Sequence, residues 1–203
     1  MWKREKHLEV TDNKIKNVTS KVLSNIWAKL EQVSFDFTFK NGKTERLRHE
    51  VYGKADGVAV LPYNPTTKNV VLSKQFRIPM YVAGVKNGFS IEVVGGSIDK
   101  NESPETSVIR ETKEEIGYSI SEIEKVSTVF LSPGLMREQV HLYVAKYTDE
   151  DKVESGGGLA EESEEITVLE TSFDEALKMI ENQEIIDART IMLLYHLKVK
   201  GSI

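Results

Sequence analysis

The chain contains no cysteine among its 203 residues, which excludes disulfides and thiol catalysis. It has no run of about 18 apolar residues, the length a membrane-spanning helix needs. The opening stretch, MWKREKHLEVTDNK, is charged throughout and lacks the apolar centre of a secretory leader. Positive charge is in deficit: 27 Lys and Arg stand against 32 Asp and Glu, a formal net charge of −5. That balance argues against a general nucleic-acid binder, and no strong basic tract offsets it. These absences together predict a cytoplasmic protein with neither membrane nor nucleic-acid partners. The four histidines, His7, His49, His141 and His196, show no ligand spacing. No internal repeat is present. The length suits one domain with a sizeable core, or one domain with an extension.

What the chain does have is a dense group of carboxylates between Gly96 and Gly117, GSIDKNESPETSVIRETKEEIG. Ser103-Pro104 reads as a helix start, with serine capping free N–H groups and proline at the first helical position. Gly117 supplies a left-handed stop. Val108, Thr112 and Ile116 recur every four residues, with Ile109 beside them, and predict a core-facing side. Glu111, Glu114 and Glu115 stand at i, i+3 and i+4 and are therefore neighbours on the helix surface. At about 6 Å and an effective dielectric of about 20, each such pair repels by roughly 3 kcal/mol. Hard divalent cations such as Mg²⁺ or Mn²⁺ relieve that repulsion through oxygen ligands. A solvated acidic face is the alternative for the glutamates alone. The context favours the cation. A strand-like run, Phe89 to Val94, leads into Gly95-Gly96, and Glu102 sits in the loop before the helix.

Elsewhere the pattern alternates between strands and helices. Residues 1 to about 22 are polar and read as a loose or helical lead-in. From Val33 the apolar residues alternate as in a half-buried strand, Asn41-Gly42 marks a hairpin, and the return runs from Thr44 to Tyr52. Gly57 to Tyr63 and Asn69 to Phe76 form a second hairpin. Val126 to Leu131 and Gln139 to Tyr147 are further strands joined through Ser132-Pro133-Gly134. Ser155-Gly156-Gly157-Gly158 opens a flexible loop, and Ile166 to Leu169 is a short strand. Asp174 to Asn182 predicts an amphipathic helix with Ala176, Leu177 and Ile180 inward. Asp187 to about Lys198 predicts a last helix buried along Ile191, Leu194 and Tyr195. Mixed strands with flanking helices predict an α/β fold in which helices cover a mixed sheet.

The spacing from Gly96 through Glu102, Arg110, Glu111, Glu114 and Glu115 to Gly117 resembles the Nudix box at full length, with Thr112 and Tyr118 where aliphatic residues are usual. From about Ser24 to about Leu197 the chain is similar to the Nudix pyrophosphatases that cleave nucleoside diphosphate sugars, of the ADP-ribose and GDP-mannose types. Lys74-Gln75-Phe76-Arg77, Ser132-Pro133-Gly134 with Glu138, Gly156-Gly157-Gly158 followed by Glu161, Glu162, Glu164 and Glu165, and Asp187-Ala188-Arg189-Thr190 carry this likeness. The last has Arg189 in place of lysine.

The resemblance implies an α/β/α Nudix sandwich spanning 57–203. It also implies an N-terminal extension, 1–56, whose hairpin swaps between the subunits of a homodimer. The implied metal ligands are Glu111, Glu115, the Gly95 carbonyl and, after loop closure, Glu164, holding Mg²⁺ or Mn²⁺. Glu162 is the implied general base, with Glu164 as the second candidate. Trp27 would stack on the base. Arg77, Glu138, Arg189 and the triplet Arg48-His49-Glu50 would contact substrate, His49 standing where arginine is usual. The implied reaction is Mg²⁺-dependent hydrolysis of the diphosphate bond to a nucleoside monophosphate and a sugar phosphate. A non-catalytic nucleotide-sugar sensor and a nucleoside triphosphate pyrophosphatase are the alternatives. Base and sugar stay open at this level.

Overall fold

A computed structural model of the chain describes residues 14–159, 161 and 164–203. They form two compact units. One contains the described residues up to Ala55 together with Phe130–Glu138, and the other contains Asp56–Val129 and Gln139–Ile203.

The first unit is an antiparallel sheet of β1 (Ile15–Asn25), β2 (Lys29–Thr38) and β3 (Thr44–Gly53), in that order. The Asn41-Gly42 turn closes β2 onto β3, with Gly42 at φ 83°. The expectation of a loose or helical lead-in to about residue 22 is corrected from Ile15 on, because Ile15–Asn25 is a strand, while residues 1–13 lie outside the described residues. Its sequence is polar since most of its side chains are exposed and its backbone pairs with β2, so no apolar alternation is needed. A register shift between Lys16 and Thr19 accommodates Asn17 at φ 52°. Polar cross-strand pairs tie all three strands: Asn17 donates to Asp36 at 2.6 Å, and Arg46 donates to Asp36 at 3.1 Å and to the Asn17 carbonyl at 2.7 Å. The segment Phe130–Glu138 is drawn in from far along the chain. The Tyr52 N–H donates to the Leu135 carbonyl at 2.9 Å, and the Arg137 N–H to the Tyr52 carbonyl at 3.0 Å.

The second unit is built on a mixed sheet of β6 (Phe89–Glu92), β5 (Asn69–Phe76), β4 (Gly57–Asn64), β8 (Val140–Lys146) and β7 (Ile123–Val129), in that order, with β9 (Thr167–Ser172) paired to β5. Only β4 and β8 run parallel; the other pairs are antiparallel. Every residue of β4 is buried, and the period of two divides them between two cores. Ala59, Leu61 and Tyr63 join Val140, Leu142 and Val144 against the helices α3 (Phe173–Glu181) and α4 (Ala188–Lys200). Val58 and Val60 join Tyr143, Ala145 and Tyr147 against α2 (Pro104–Ile116). Helices therefore cover both faces of the sheet, as the pattern predicts. A short helix not anticipated from the sequence, α1 (Ile78–Val82), follows Arg77.

Capping agrees with the sequence signals. The Ser103 hydroxyl accepts from the Thr106 N–H at 3.1 Å and Gly117 closes α2 at φ 79°. Val108, Thr112 and Ile116 are fully buried, but Ile109 is exposed and lies off the packing side. In α4 the buried stripe is Thr190, Leu193, Leu194 and Leu197. Tyr195, expected inside, is 42 % exposed, because a stripe at i, i+3, i+4 and i+7 counted from Thr190 passes it by.

Candidate active site

The acidic cluster is built on α2. Glu115 is 1 % exposed, Glu111 is buried beside it and Glu114 is half-buried. One guanidinium organises the neighbourhood. Arg110 donates to both oxygens of Glu102 at 3.1 Å, to Glu111 at 2.9 Å, to Glu114 at 3.0 Å and to the Ser97 carbonyl at 3.3 Å. The Arg110 hydrogen bond holds the Glu102 carboxyl well below its usual range, at about 2.

Glu115 receives no such help. Neither of its oxygens has a hydrogen-bond partner among the described residues. Burial, then the charges of Glu111 and Glu164, push its carboxyl well above the ordinary value; the nearby Gly95 N–H, which does not meet hydrogen-bond geometry, and the Arg77 charge pull the other way. Glu111 is pushed up to about 7, chiefly by burial and against the pull of Arg110. Glu164 thus lies near enough to act on both helix glutamates. Its carboxylate also accepts from the Leu159 N–H at 3.2 Å.

The glycine pair closes in from the other side. The Val58 N–H donates to the Gly96 carbonyl at 2.9 Å and the Val60 N–H to the Val94 carbonyl at 2.8 Å. A Cβ on Gly96 would collide with the Glu111 carboxylate and push it out of its present place, so glycine here leaves room for that side chain. Gly156-Gly157-Gly158, expected to open a flexible loop, lies against the end of α2. The Gly157 N–H donates to the Glu115 carbonyl at 2.9 Å and the Gly158 N–H to the Glu114 carbonyl at 3.2 Å. A Cβ on Gly156 would strike the backbone of Ile116.

Among the described residues no group of three His, Cys, Asp or Glu side chains stands in a ready cation-holding array. The donors nonetheless fit a hard divalent ion. Of the two buried carboxylates, Glu111 has Arg110 as its cation, while Glu115 keeps both oxygens unpaired, and burial still pushes both up, so oxygen donors are left over for a hard divalent ion.

Of the remaining residues singled out from the sequence, Arg77 and Arg189 belong to the same unit as the cluster, while Trp27, Arg48, His49, Glu50 and Glu138 belong to the first. Trp27 is 73 % exposed in the β1–β2 turn, with Lys54 Nζ 5.0 Å from its ring centroid. Arg48, His49 and Glu50 are exposed on β3, His49 with its ring 5.6 Å from that of Phe35. Glu138 is half-buried, and its neighbour Arg137 pairs with Glu31 at 3.0 Å. Glu162, expected as the base, lies outside the described residues. Sequence reasoning missed Glu92. It is a buried carboxylate on β6 that binds Arg77 at 3.0 and 2.8 Å and Arg189 at 2.6 Å. The available signal was an acid inside the apolar run FSIEVV, which needs a charged partner to be buried there.

Residues 53–194 match the family model described as NUDIX domain, and residues 14–52 match that of the GDP-mannose pyrophosphatase NudK N-terminal domain. The chain is 41 % identical over 184 residues to a GDP-mannose pyrophosphatase of Cronobacter sakazakii, covering 91 % of this chain and 95 % of that protein. It is 39 % identical over 181 residues to one of Salmonella typhimurium, covering 89 % and 93 %. A solved ADP compounds hydrolase shares the fold with a TM-score of 0.69 at 20 % identity, over 93 % of this chain and 96 % of the other.

Proposed function

The chain belongs to the Nudix family, and from that premise we propose that it hydrolyses the diphosphate bond of a nucleoside diphosphate sugar with the help of Mg²⁺ or Mn²⁺. GDP-mannose is the first substrate to test, because relatives at 38–41 % identity carry that activity in their names. The single observation that carries the reading is the buried Glu115, with both oxygens unpaired beside Glu111 and Glu164.

Glu111, Glu115, the Gly95 carbonyl and Glu164 would hold the ion. Bound there, it would offset the charge of the diphosphate oxygens and acidify the attacking water. Arg110 keeps Glu111 and Glu114 from swinging outward by bonding both. Arg77, 39 % exposed at its side chain, would grip a phosphate oxygen through its planar fork. Glu162, or Glu164 in its place, would take the proton as water attacks phosphorus. The bridging P–O bond breaks, yielding a nucleoside monophosphate and a sugar phosphate. Trp27, Arg48, His49, Glu50 and Glu138 would serve the nucleotide side from the 1–56 extension and the Phe130–Glu138 segment.

Exposed Val18, Val22, Ile26 and Trp27 on the first unit support a homodimer formed through the extension. No helix among the described residues is long and apolar enough to cross a membrane. The cysteine-free, net-negative composition supports a cytoplasmic setting and a small-molecule substrate over nucleic acid. The test is Glu115→Gln and Glu111→Gln assayed on a panel of nucleoside diphosphate sugars with Mg²⁺. Each variant should lose about 10²-fold or more in kcat, in line with removal of a group that stabilises transition-state charge. Near wild-type turnover in either would overturn the metal assignment.

A further inference from the structure

If Arg77 grips phosphate, as just proposed and as this inference requires, something must aim its guanidinium. The structure contains a continuous support for it. Glu92 Oε1 accepts from Arg77 Nε at 3.0 Å, and Oε2 accepts from Arg77 Nη2 at 2.8 Å. Oε2 also accepts from Arg189 Nη2 at 2.6 Å. Arg189 Nε donates to Asp187 Oδ1 at 3.0 Å. Asp187 is itself fixed as the N-cap of α4, its Oδ2 accepting from the Thr190 N–H at 2.9 Å and the Thr190 hydroxyl at 2.7 Å. The Thr190 Oγ1 accepts in turn from the Val93 N–H at 2.8 Å. Charge therefore alternates from the start of α4 through buried Glu92 to Arg77, and the same helix start holds the backbone two residues before Gly95.

Three features separate this chain from ordinary packing. A two-point fork fixes the plane of the Arg77 guanidinium, which a single contact would not. The Nη1 group of Arg77 is not engaged by Glu92, and the side chain is 39 % exposed, so donors remain on the solvent side. Glu92 stands between two like-charged guanidiniums and bonds both, through Arg77 Nε and Nη2 and Arg189 Nη2. A buried ionic group of this kind contributes little net stability compared with apolar residues of the same volume.

We propose that Glu92 is a positioning residue that aims Arg77 at the substrate phosphate, and that Arg189 acts through Glu92 and not on the substrate. The test is a double-mutant cycle of Arg77→Ala, Glu92→Gln and the pair. KM and kcat are measured on GDP-mannose with Mg²⁺, and affinity for GDP-mannose is measured in EDTA by calorimetry. Each single variant should raise KM and weaken metal-free binding by about tenfold, the scale of one charged hydrogen bond. The effect on kcat should be smaller, and the double variant should be no worse than Arg77→Ala alone. A purely structural Glu92 would lower Tm and leave KM and affinity unchanged, which overturns the proposal. Losses that multiply in the double variant overturn it as well. An Arg77→Ala protein that binds normally overturns both the grip and its aiming, whereas a normal Arg77 loss with multiplying effects overturns the aiming alone. If Glu92→Gln does not fold, Glu92→Asp, which keeps the charge but shortens the reach, goes through the same cycle.

Discussion

At the scale of single residues, two kinds of buried glutamate titrate in opposite directions. Glu92, between two guanidiniums that outweigh its burial, is lowered from 4.5 to about 2. A depressed carboxyl adds stability that is present above 4.5 and lost as pH falls toward 2. The gap in denaturant stability between the wild type and Glu92→Gln should therefore be up to about 3 kcal/mol at pH 7 and should shrink steadily below pH 4.5. Glu111 and Glu115 are raised, so at these two groups the metal-free fold binds more protons than the unfolded chain. Their contribution to its stability falls as pH rises from 4.5 through about 7. Glu115→Gln should raise the metal-free Tm at pH 8 while removing the response to Mg²⁺. In the wild type, Mg²⁺ at about 100 times its Kd should add roughly 5–10 °C by differential scanning calorimetry. A wild-type Tm indifferent to Mg²⁺ would count against the cluster as an ion site.

Single elements show what the sequence makes legible. The box helix was readable because its signals are local: a serine cap, a terminal glycine and a four-residue apolar repeat all lie within the helix or next to it. Strands β4 and β5 were readable for the same reason, as apolar runs bounded by turn residues. β1 was not, because its partner β2 supplies the backbone order that its own side chains do not advertise. Glu92 escaped notice for a related reason: its partners stand 15 and 97 positions away. The glycine run of the acidic loop was readable as special but not in its purpose, which is close contact with α2. Ser103→Ala removes one cap and should cost about 1 kcal/mol in urea unfolding. Its effect on kcat should be modest, since Arg110 still holds Glu102, Glu111 and Glu114.

On the scale of the whole molecule, the division at residue 56 suggested by the sequence meets a non-local fact. The first unit recruits Phe130–Glu138 and bonds it to Tyr52. A chain shortened to 57–203 would leave that segment without its strand. The Arg137 amide, which donates to the Tyr52 carbonyl, should then exchange with deuterium at least about tenfold faster, while the amides of β4 and β8 keep their protection. Equal protection at Arg137 in both forms would show that the segment orders itself. Strand β4 carries a different constraint, because it hands alternate side chains to the two cores. Lengthening it by one residue after Val58 would turn Ala59, Leu61 and Tyr63 toward α2 and pull Val60 away from the Val94 carbonyl. An added pair of residues would leave the allegiance of each side chain intact. Over evolutionary time, this strand should therefore change in length only by even steps, if at all.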